Sequence, residues 1–287
     1  MRVINTAQEM QFACRALRRA GKSLGLVPTM GALHAGHLSL VKASKSTCDV
    51  TAVSIFVNPT QFGPKEDLAR YPRTFDADCA MLEAEGVDLI FAPSVDEMYP
   101  AGASTWVEVE GEGDRLEGAS RPGHLRGVAT IVSKLFHIVA PTHAFFGQKD
   151  AAQLAVLRKM VRDLRFDLQI VGCPIIREAD SLAMSSRNQY LSAKERGQAL
   201  VLSRALLAAS DLVVNGETSS VPLLAAMRAV FAAEPAARVD YITVVDSDTL
   251  LPIEDITSGG MLAVAAYFGT TRLLDNVLTR EISRRGS

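Results

Sequence analysis

Two histidines three residues apart open a predicted helix, directly after a short apolar run. The run 24–27 indicates a buried strand, and the segment 29–37 that follows contains His34, Gly36 and His37. The N–H groups and dipole of a helix start attract phosphate, glycine permits close approach to the backbone, and imidazole donors stabilise developing negative charge. The pattern indicates a nucleotide-phosphate site, with an incidental pair of loop histidines as the alternative. Zinc is disfavoured because no third ligand lies nearby.

A second polar segment, 56–62, lies at the end of the predicted strand 50–57. It contains Asn58 and Gln61, whose neutral amides can hydrogen-bond the hydroxyl and carboxylate groups of a ligand. Taken alone, Asn58 followed by Pro59 is more simply explained as a turn.

The tetrapeptide 147–150, Gly-Gln-Lys-Asp, precedes the predicted helix 151–164. A lysine at a helix start is electrostatically disfavoured unless an anion is nearby, which favours a phosphate partner for Lys149. Gln153 lies one turn further along and faces the same way as Lys149 and Asp150. The alternative is a solvated lysine beside a helix cap formed by Asp150.

The segment 184–188, Met-Ser-Ser-Arg-Asn, lies where the pattern of predicted elements changes between the two halves of the chain. Ser185, Ser186 and Arg187 offer two hydroxyls and a guanidinium, a set that can hold a pyrophosphate through several charge-assisted hydrogen bonds. A linker of this kind can also close one domain over another. The alternative is a polar hinge that binds nothing.

A weaker candidate is the basic stretch 121–127, which contains Arg121, His124 and Arg126. Its cations can face an acid substrate, or they can cap the helix that follows. The sequence leaves both interpretations open.

Alternating strands and helices must position these segments in the first half of the chain. The predicted helices cover 6–20, 37–46, 75–85, 127–139 and 151–164, and the predicted strands cover 24–27, 50–57, 87–91 and 168–171. A short apolar stretch, 144–146, precedes Gly147. This alternation predicts βαβ units and a mostly parallel sheet, with ligands at the carboxyl ends of the strands.

The second half has a different pattern. Helices are predicted over 192–210 and 221–233, followed by strands over 239–245, 261–268 and 273–277. We therefore predict an α/β domain over residues 1–175 and a smaller α+β domain over 176–287.

Composition excludes several classes of protein. The chain of 287 residues carries a net charge of −2, which does not favour a nucleic-acid-binding protein. Its four cysteines are far apart and predict neither a disulfide framework nor a zinc ribbon. The first ten residues lack an apolar signal-peptide core, and the apolar run 261–268 is too short to span a bilayer. We expect a cytoplasmic protein with no membrane partner.

Together, these motifs resemble those of the pantoate–β-alanine ligase family. The similar stretches are 28–37 (PTMGALHAGH), 56–62 (FVNPTQF), 121–130 (RPGHLRGVAT), 147–150 (GQKD) and 183–191 (AMSSRNQYL). The resemblance places the chain in the HIGH-motif nucleotidyltransferase-like group. His34 to His37 form the HIGH-type element, and Ser185 to Arg187 stand where related enzymes carry their second phosphate motif.

The resemblance implies a Rossmann-like parallel-sheet N-terminal domain, a smaller α+β C-terminal lid domain and a homodimer. It implies that ATP and pantoate form pantoyl adenylate and pyrophosphate, with Mg²⁺ accompanying the ATP. β-Alanine then displaces AMP to give pantothenate.

The resemblance also assigns residues. To ATP it assigns Met30, Gly31, Ala32, Leu33, His34, Ala35, Gly36, His37, Gly147, Gln148, Lys149, Asp150, Ile176, Met184, Ser185, Ser186 and Arg187. To pantoate it assigns Gln61 and Gln153, with Asn58 and Met30 beside them and Gln61 also next to β-alanine. The catalytic assignments are His37, given the acid role, with His34 and Lys149; it assigns no metal ligand in the protein.

At four positions the chain departs from commoner family forms. Gln148 stands where glutamate is expected, Ala152 where glutamine is frequent, Ile176 where valine is common, and Ser181 where glycine is usual. None of these differences removes a proposed donor.

Two other functions fit parts of the pattern. One is a different HIGH-type nucleotidyltransferase, which would not need Gln61 and Gln153 and would show no amine-dependent second step. The other is a non-catalytic nucleotide sensor on the same fold, because fold alone does not establish activity.

Overall fold

The computed structural model describes residues 1–64 and 66–283 and divides the chain into two compact units. The first unit comprises Met1–Gly147 and Ala152–Pro174, and the second comprises Gln148–Ala151 and Ile175–Ser287. The short stretch Gln148–Ala151 therefore groups with the second unit, although the chain on both sides of it belongs to the first.

Within the described ranges, six strands of the first unit form one sheet in which every pairing is parallel. The strands are β1 (Arg2–Ile4), β2 (Leu24–Thr29), β3 (Val50–Ile55), β4 (Leu89–Phe91), β5 (His143–Gly147) and β6 (Gln169–Cys173), in the order β1-β4-β3-β2-β5-β6. The predicted α/β fold with a parallel sheet is confirmed.

Helices connect these strands. They are α1 (Ala7–Arg19), α2 (Ala35–Thr47), α3 (Phe75–Ala84), α4 (Val95–Met98), α5 (Glu117–Ser120), α6 (His124–Val139) and α7 (Ala151–Asp163). Short 3₁₀ helices cover Pro59–Gln61, Asp67–Arg70 and Glu112–Asp114. Thr6 caps α1, and its hydroxyl accepts a hydrogen bond from the N–H of Glu9.

Close packing sets the position of α2 against the sheet. A Cβ atom on Gly25 of β2 would lie 2.1 Å from the Ser44 hydroxyl of α2, so only glycine permits this approach. The Ser44 hydroxyl is also 2.8 Å from that of Thr51 on β3. These contacts hold α2 against β2 and β3, and the helix begins shortly after β2 ends.

Several strand ends differ from the sequence-based prediction, and one strand has no counterpart in it. β2 continues through Pro28 to Thr29. Pro28 has no N–H group to donate, but β5 pairs with β2 only at Gly25 and Leu26, so the sheet loses no hydrogen bond to β5 at Pro28. β1, Arg2–Ile4, was not predicted, because three residues are too few to show alternation of apolar and polar side chains.

In the second unit, the described residues form one antiparallel sheet of three strands packed against helices. The strands are β7 (Arg238–Val245), β8 (Met261–Phe268) and β9 (Thr271–Leu278), and the helices are α8 (Ala193–Ala199), α9 (Val201–Val214), α10 (Ser220–Ala232) and α11 (Thr279–Ser283). A further 3₁₀ helix covers Ser186–Tyr190. The predicted α+β arrangement is confirmed, with its first helix divided at Leu200.

The stretch Ala193–Val214 is long and apolar enough to cross a membrane by length and composition alone. It consists of α8 and α9, and its residues Leu202, Leu206 and Ala209 are buried in a core shared with β8. We interpret it as core helix of the second unit.

Ser181 lies in a tight turn with a left-handed backbone. Its φ is +74°, its N–H donates to the Glu178 carbonyl at 2.9 Å, and the Glu178 N–H donates to the Leu182 carbonyl at 2.8 Å. Arg177 and Ala183 form an antiparallel bridge across the turn. Glycine is the residue that adopts this conformation without strain, which explains physically why glycine is expected here.

We predict that Ser181→Gly raises the free energy of unfolding by about 0.5–1 kcal/mol, because relief of the left-handed strain exceeds the added entropy of the unfolded chain. Urea denaturation at constant m-value measures the change. Ser181→Ala, which keeps the strain, is the control and should give no increase. A lower midpoint for the glycine variant would contradict the prediction.

Candidate active site

The loop after β2 makes a tight left-handed turn. Gly31 and Ala32 have φ values of +78° and +50°. The Thr29 hydroxyl donates to the Ser54 carbonyl of β3 at 2.7 Å and accepts from the N–H of Gly31 at 3.2 Å. The end of β2 is thus tied to β3 at the point where the chain turns toward α2.

A buried carboxylate from α3 holds the middle of this loop. Asp78 is 1% exposed, and its oxygens accept hydrogen bonds from the N–H groups of Ala32 at 3.0 Å and Leu33 at 2.9 Å, and from the Thr74 hydroxyl at 3.2 Å. A Cβ atom on Gly31 would lie 2.9 Å from Asp78 Oδ2, so the carboxylate also requires glycine there. Asp78 therefore fixes the path of the chain into the histidine pair.

The rings of His34 and His37 lie next to each other at the start of α2. Their ring centroids are 4.1 Å apart. His34 caps α2, its Nδ1 accepting from the N–H of Gly36 at 3.1 Å, and His37 Nδ1 accepts from the N–H of His34 at 3.3 Å. A nitrogen that accepts an N–H bond carries no proton, so in the neutral state both rings bear their proton on Nε2. The helix start thus carries two Nε2–H donors.

Asn58 is a buried link between elements. It is 1% exposed, its Nδ2 donates to Gln61 Oε1 and to the Gly127 carbonyl at 3.1 Å each, and its Oδ1 accepts from the hydroxyls of Thr60 and Tyr99 at 2.9 Å each. Both donors and both lone pairs are used inside the protein. The structure therefore places Asn58 where it orients Gln61.

Gln61 has one end of its amide held and the other facing the first loop. Oε1 is held by Asn58, while Nε2 lies 3.0 Å from the sulfur of Met30. Thioether sulfur is a weak acceptor, so the Gln61 N–H groups retain capacity for an oxygen of a ligand. Met30 and Gln61, predicted from separate motifs, are thereby brought together.

The cations of the basic stretch are used within the protein. His124 Nδ1 donates to the Gln61 carbonyl at 2.8 Å, and Arg121 Nη1 donates to His124 Nε2 at 2.9 Å. Arg121 also holds Glu66 through two bonds of 2.7 and 2.5 Å. Burial acts to raise the pKa of Glu66, but the bonds and charge of Arg121 outweigh it and hold that pKa below its usual value. In the structure Arg121 and His124 support the Gln61 loop, a role that neither sequence interpretation named.

The start of α6 completes this support. A Cβ atom on Gly127 would lie 2.4 Å from the Thr60 carbonyl oxygen, so glycine lets the helix contact the Pro59–Gln61 turn directly. The neighbouring Arg126 is exposed, with its guanidinium 4.6 Å from the centre of the Trp106 ring. Arg126 thus differs from Arg121 in facing solvent.

In the second unit, β9 holds the backbone around Lys149. The Asn276 amide nitrogen donates to the carbonyls of Gln148 at 3.1 Å and Lys149 at 2.8 Å, and the Gln148 amide donates to Asn276 Oδ1 at 3.3 Å. Lys149 Nζ lies 3.5 Å from Asp150 Oδ1. Gln148 is buried, so its side chain serves this network.

The Ser-Ser-Arg segment forms the start of a 3₁₀ helix. Ser185 caps Ser186–Tyr190, its hydroxyl accepting from the N–H of Arg187 at 3.2 Å. The N–H of Met184 donates to the Ile176 carbonyl at 2.9 Å, which brings two more predicted residues together. The segment is therefore part of the helix-and-sheet framework of the second unit.

The two remaining candidates, Gly147 and Gln153, lie in sequence just before and just after the stretch Gln148–Ala151. Gly147 is the last residue of β5, and Gln153 is half-buried in the first turn of α7.

No group of three or more His, Cys, Asp or Glu residues in ranges 1–64 and 66–283 is arranged to hold a metal ion.

Comparison with known proteins identifies the family. The family model for pantoate-beta-alanine ligase matches residues 2–278. The chain belongs to the pantoate-beta-alanine ligase family. It is 60% identical to the pantothenate synthetase of Acidobacterium capsulatum over 98% of each chain, and 59% identical to that of Koribacter versatilis over 97% of this chain and 96% of the relative.

Solved structures of this family share the fold. The pantothenate synthetase from Thermus thermophilus is 48% identical and superposes with a TM-score of 0.92, over 97% of this chain and 99% of that chain. A pantoate-beta-alanine ligase from Francisella tularensis, solved in complex with beta-gamma ATP and beta-alanine, is 31% identical with a TM-score of 0.78 and covers 98% of each chain.

Sequence reasoning missed the supporting residues of this family site. Asp78, Tyr99 and Asn276 make their contacts across 39 to 128 positions of sequence. Within its own segment, Asp78 looks like an ordinary acid in the first turns of a helix, which the helix dipole favours anywhere. No local pattern distinguishes it from the exposed Asp76.

We predict that Asp78→Asn speeds hydrogen exchange at the Ala32 and Leu33 amides by about 10–100-fold, since one amide would face the new NH₂ group and the other would keep only a neutral acceptor in place of a charge-assisted bond worth about 1.5–3 kcal/mol. NMR detects this site by site. Asp76→Asn, an exposed change in the same helix, is the matched control and should leave both amides protected. Unchanged exchange in Asp78→Asn would show that the carboxylate does not hold the loop.

Proposed function

We propose that this protein joins pantoate to β-alanine at the expense of ATP, forming pantothenate, AMP and pyrophosphate through a pantoyl-adenylate intermediate. Family membership over residues 2–278 supports this function. The observation that carries it is the pair of Nε2–H donors on His34 and His37, in the same unit as the donor amide of Gln61. The histidine donors suit a phosphate, and the Gln61 amide suits an oxygen of an acid.

In the first half-reaction, a carboxylate oxygen of pantoate attacks the α-phosphorus of ATP. The new C–O–P linkage forms as the bond to pyrophosphate breaks, and the electron pair leaves with pyrophosphate. The protein mainly positions the reactants and stabilises negative charge. Since Nδ1 of each histidine is occupied by a backbone N–H, Nε2 is the atom through which His34 stabilises charge and His37 acts as the acid.

The same proposal assigns further donors to ATP. Lys149 and the segment Met184 to Arg187, with Gly147 to Asp150 and Ile176, complete the nucleotide-binding set. Anchoring of the backbone around Lys149 by Asn276 supports this, because a preorganised cation stabilises charge without reorganising during the reaction. Mg²⁺ enters as part of the substrate MgATP, held mainly by phosphate oxygens and water.

Pantoate is assigned to Gln61 and Gln153, with Met30 beside them. In the second half-reaction the neutral amine of β-alanine attacks the acyl carbon of the adenylate. The C–N bond forms, the bond from the acyl carbon to the phosphate oxygen breaks, AMP leaves, and the amine proton passes to solvent. Gln61 lies beside β-alanine in this assignment.

The proposal extends to the whole protein. Residues 1–175 form the Rossmann-like ATP- and pantoate-binding domain, and residues 176–287 form a lid domain that shields the adenylate from water. The protein is a homodimer that resides in the cytoplasm and binds no nucleic acid or membrane. Its free cysteines, Cys14, Cys48, Cys79 and Cys173, are in keeping with a reducing compartment.

Pyrophosphate release tests the function directly. Purified protein is mixed with ATP, Mg²⁺ and pantoate, and pyrophosphate is followed with and without β-alanine. We expect a stoichiometric burst without the amine and steady formation of AMP and pantothenate with it. Pyrophosphate release with a different, phosphorylated substrate would favour another nucleotidyltransferase. ATP binding without pyrophosphate release would favour a sensor.

We predict that His37→Ala and Lys149→Ala each slow adenylate formation by about 10²–10³-fold, the usual loss when one donor to a developing charge is removed. Single-turnover pyrophosphate release measures the rate. His137→Ala and Lys159→Ala remove the same residue types from the surface and serve as controls. Near-wild-type rates in both site variants would reject the assignment.

We predict that Gln61→Ala and Gln153→Ala raise the KM for pantoate by about 10–100-fold and change the KM for ATP much less, because each loses a hydrogen bond to a charged acid. Steady-state kinetics with each substrate varied in turn separates the two. Gln169→Ala, an exposed change on β6, is the control. Equal weakening of both substrates would argue against a role specific to pantoate.

A further inference from the structure

Tyr99 is the outer member of a hydrogen-bond chain that ends at Gln61. It follows α4, and its hydroxyl donates to Asn58 Oδ1 at 2.9 Å and lies 3.1 Å from the Thr60 hydroxyl. Lys134 Nζ of α6 lies 4.5 Å from the centre of the Tyr99 ring and donates to the Met98 carbonyl, so Lys134 packs against the face of the ring. Burial raises the pKa of Tyr99, so its hydroxyl stays protonated and available as a donor.

The polarity of the Asn58 amide is determined by its neighbours. The Gly127 carbonyl can only accept, so the NH₂ group of Asn58 must face it, and Oδ1 must then face Tyr99 and Thr60. Oδ1 receives a hydrogen bond from each of these two hydroxyls. Together with these hydroxyls, the N–H of Thr60 donates to Oδ1 at 3.4 Å, and Tyr99 supplies the one bond on this oxygen that comes from outside the Asn58–Gln61 loop.

The polarity of Gln61 follows from that of Asn58. Because Asn58 Nδ2 donates to Gln61 Oε1, the NH₂ group of Gln61 is turned to the opposite side, beside Met30. In this orientation Gln61 donates to a ligand. If the amide were rotated by half a turn, it would present an oxygen, which repels the oxygen lone pairs of a carboxylate.

We propose that Tyr99 is a positioning residue for the acid substrate, which acts through Asn58 to keep the Gln61 amide in its donating orientation. Tyr99 then controls the affinity for the acid and has little influence on ATP. This inference rests on the proposed function, since it takes pantoate as the ligand of Gln61. It adds a residue outside the sequence motifs to the determinants of substrate recognition.

Tyr99→Phe tests the inference, because it removes the hydroxyl and retains the ring beside Phe56 and Lys134. We expect the KM for pantoate to rise about three- to tenfold, as for the loss of one neutral hydrogen bond. The KM for ATP and kcat should stay within about twofold. Tyr267→Phe removes a tyrosine hydroxyl in the second unit and should change none of these constants.

A double-mutant cycle separates positioning from general destabilisation. If Tyr99 acts through Gln61, then Tyr99→Phe in a Gln61→Ala background should cause no further rise in the KM for pantoate. Additive effects, or equal rises in the KM values for pantoate and ATP, would overturn the inference. Failure of the proposed function itself would look different, because the wild-type protein would then release no pyrophosphate in response to pantoate.

Discussion

The parallel pairing of β2 with β3 is the constraint on which the rest of the first unit's site depends. Thr29 pairs with Ile55 at the last step of the ladder, so both strands end at the same edge of the sheet. The histidine loop leaves one strand and the Asn58–Gln61 loop leaves the other. Two motifs that are more than 20 residues apart in sequence therefore begin side by side, and Met30 reaches Gln61.

From that edge outward, the site is built by groups that can play only one hydrogen-bonding role. The carboxylate of Asp78 can only accept, so it selects the two backbone N–H groups of the turn before His34. The carbonyl of Gly127 can only accept as well, and it sets the orientation of Asn58. Backbone N–H groups can only donate, and they set the tautomers of both histidines. Each choice is enforced because a buried polar group without a partner is costly.

In the second unit, buried hydrogen bonds and an ion pair likewise position the candidate residues. Asn276 on β9 holds the carbonyls of Gln148 and Lys149, and the adjacent Asp275 pairs with Arg177 through bonds of 2.6 and 2.9 Å. Neighbouring residues on one strand thus anchor the stretch before α7 and the stretch that leads to the Ser-Ser-Arg segment. These contacts explain why Gln148–Ala151 groups with the second unit.

The sequence by itself determined the class of fold, the approximate positions of the longer helices and strands and the family, because apolar periodicity and motif spacing are local properties of the chain. It also predicted which loops would carry the chemistry. Tertiary structure decided which polar residues bond within the protein: Arg121 and His124, which in sequence could face a substrate or cap a helix, support the Gln61 loop. It also showed that Asp78 and Tyr99 make hydrogen bonds to the loops that carry the predicted site residues. The reason is physical, since a hydrogen-bond partner is selected by proximity in space, and proximity across the sheet has no local signature in the chain.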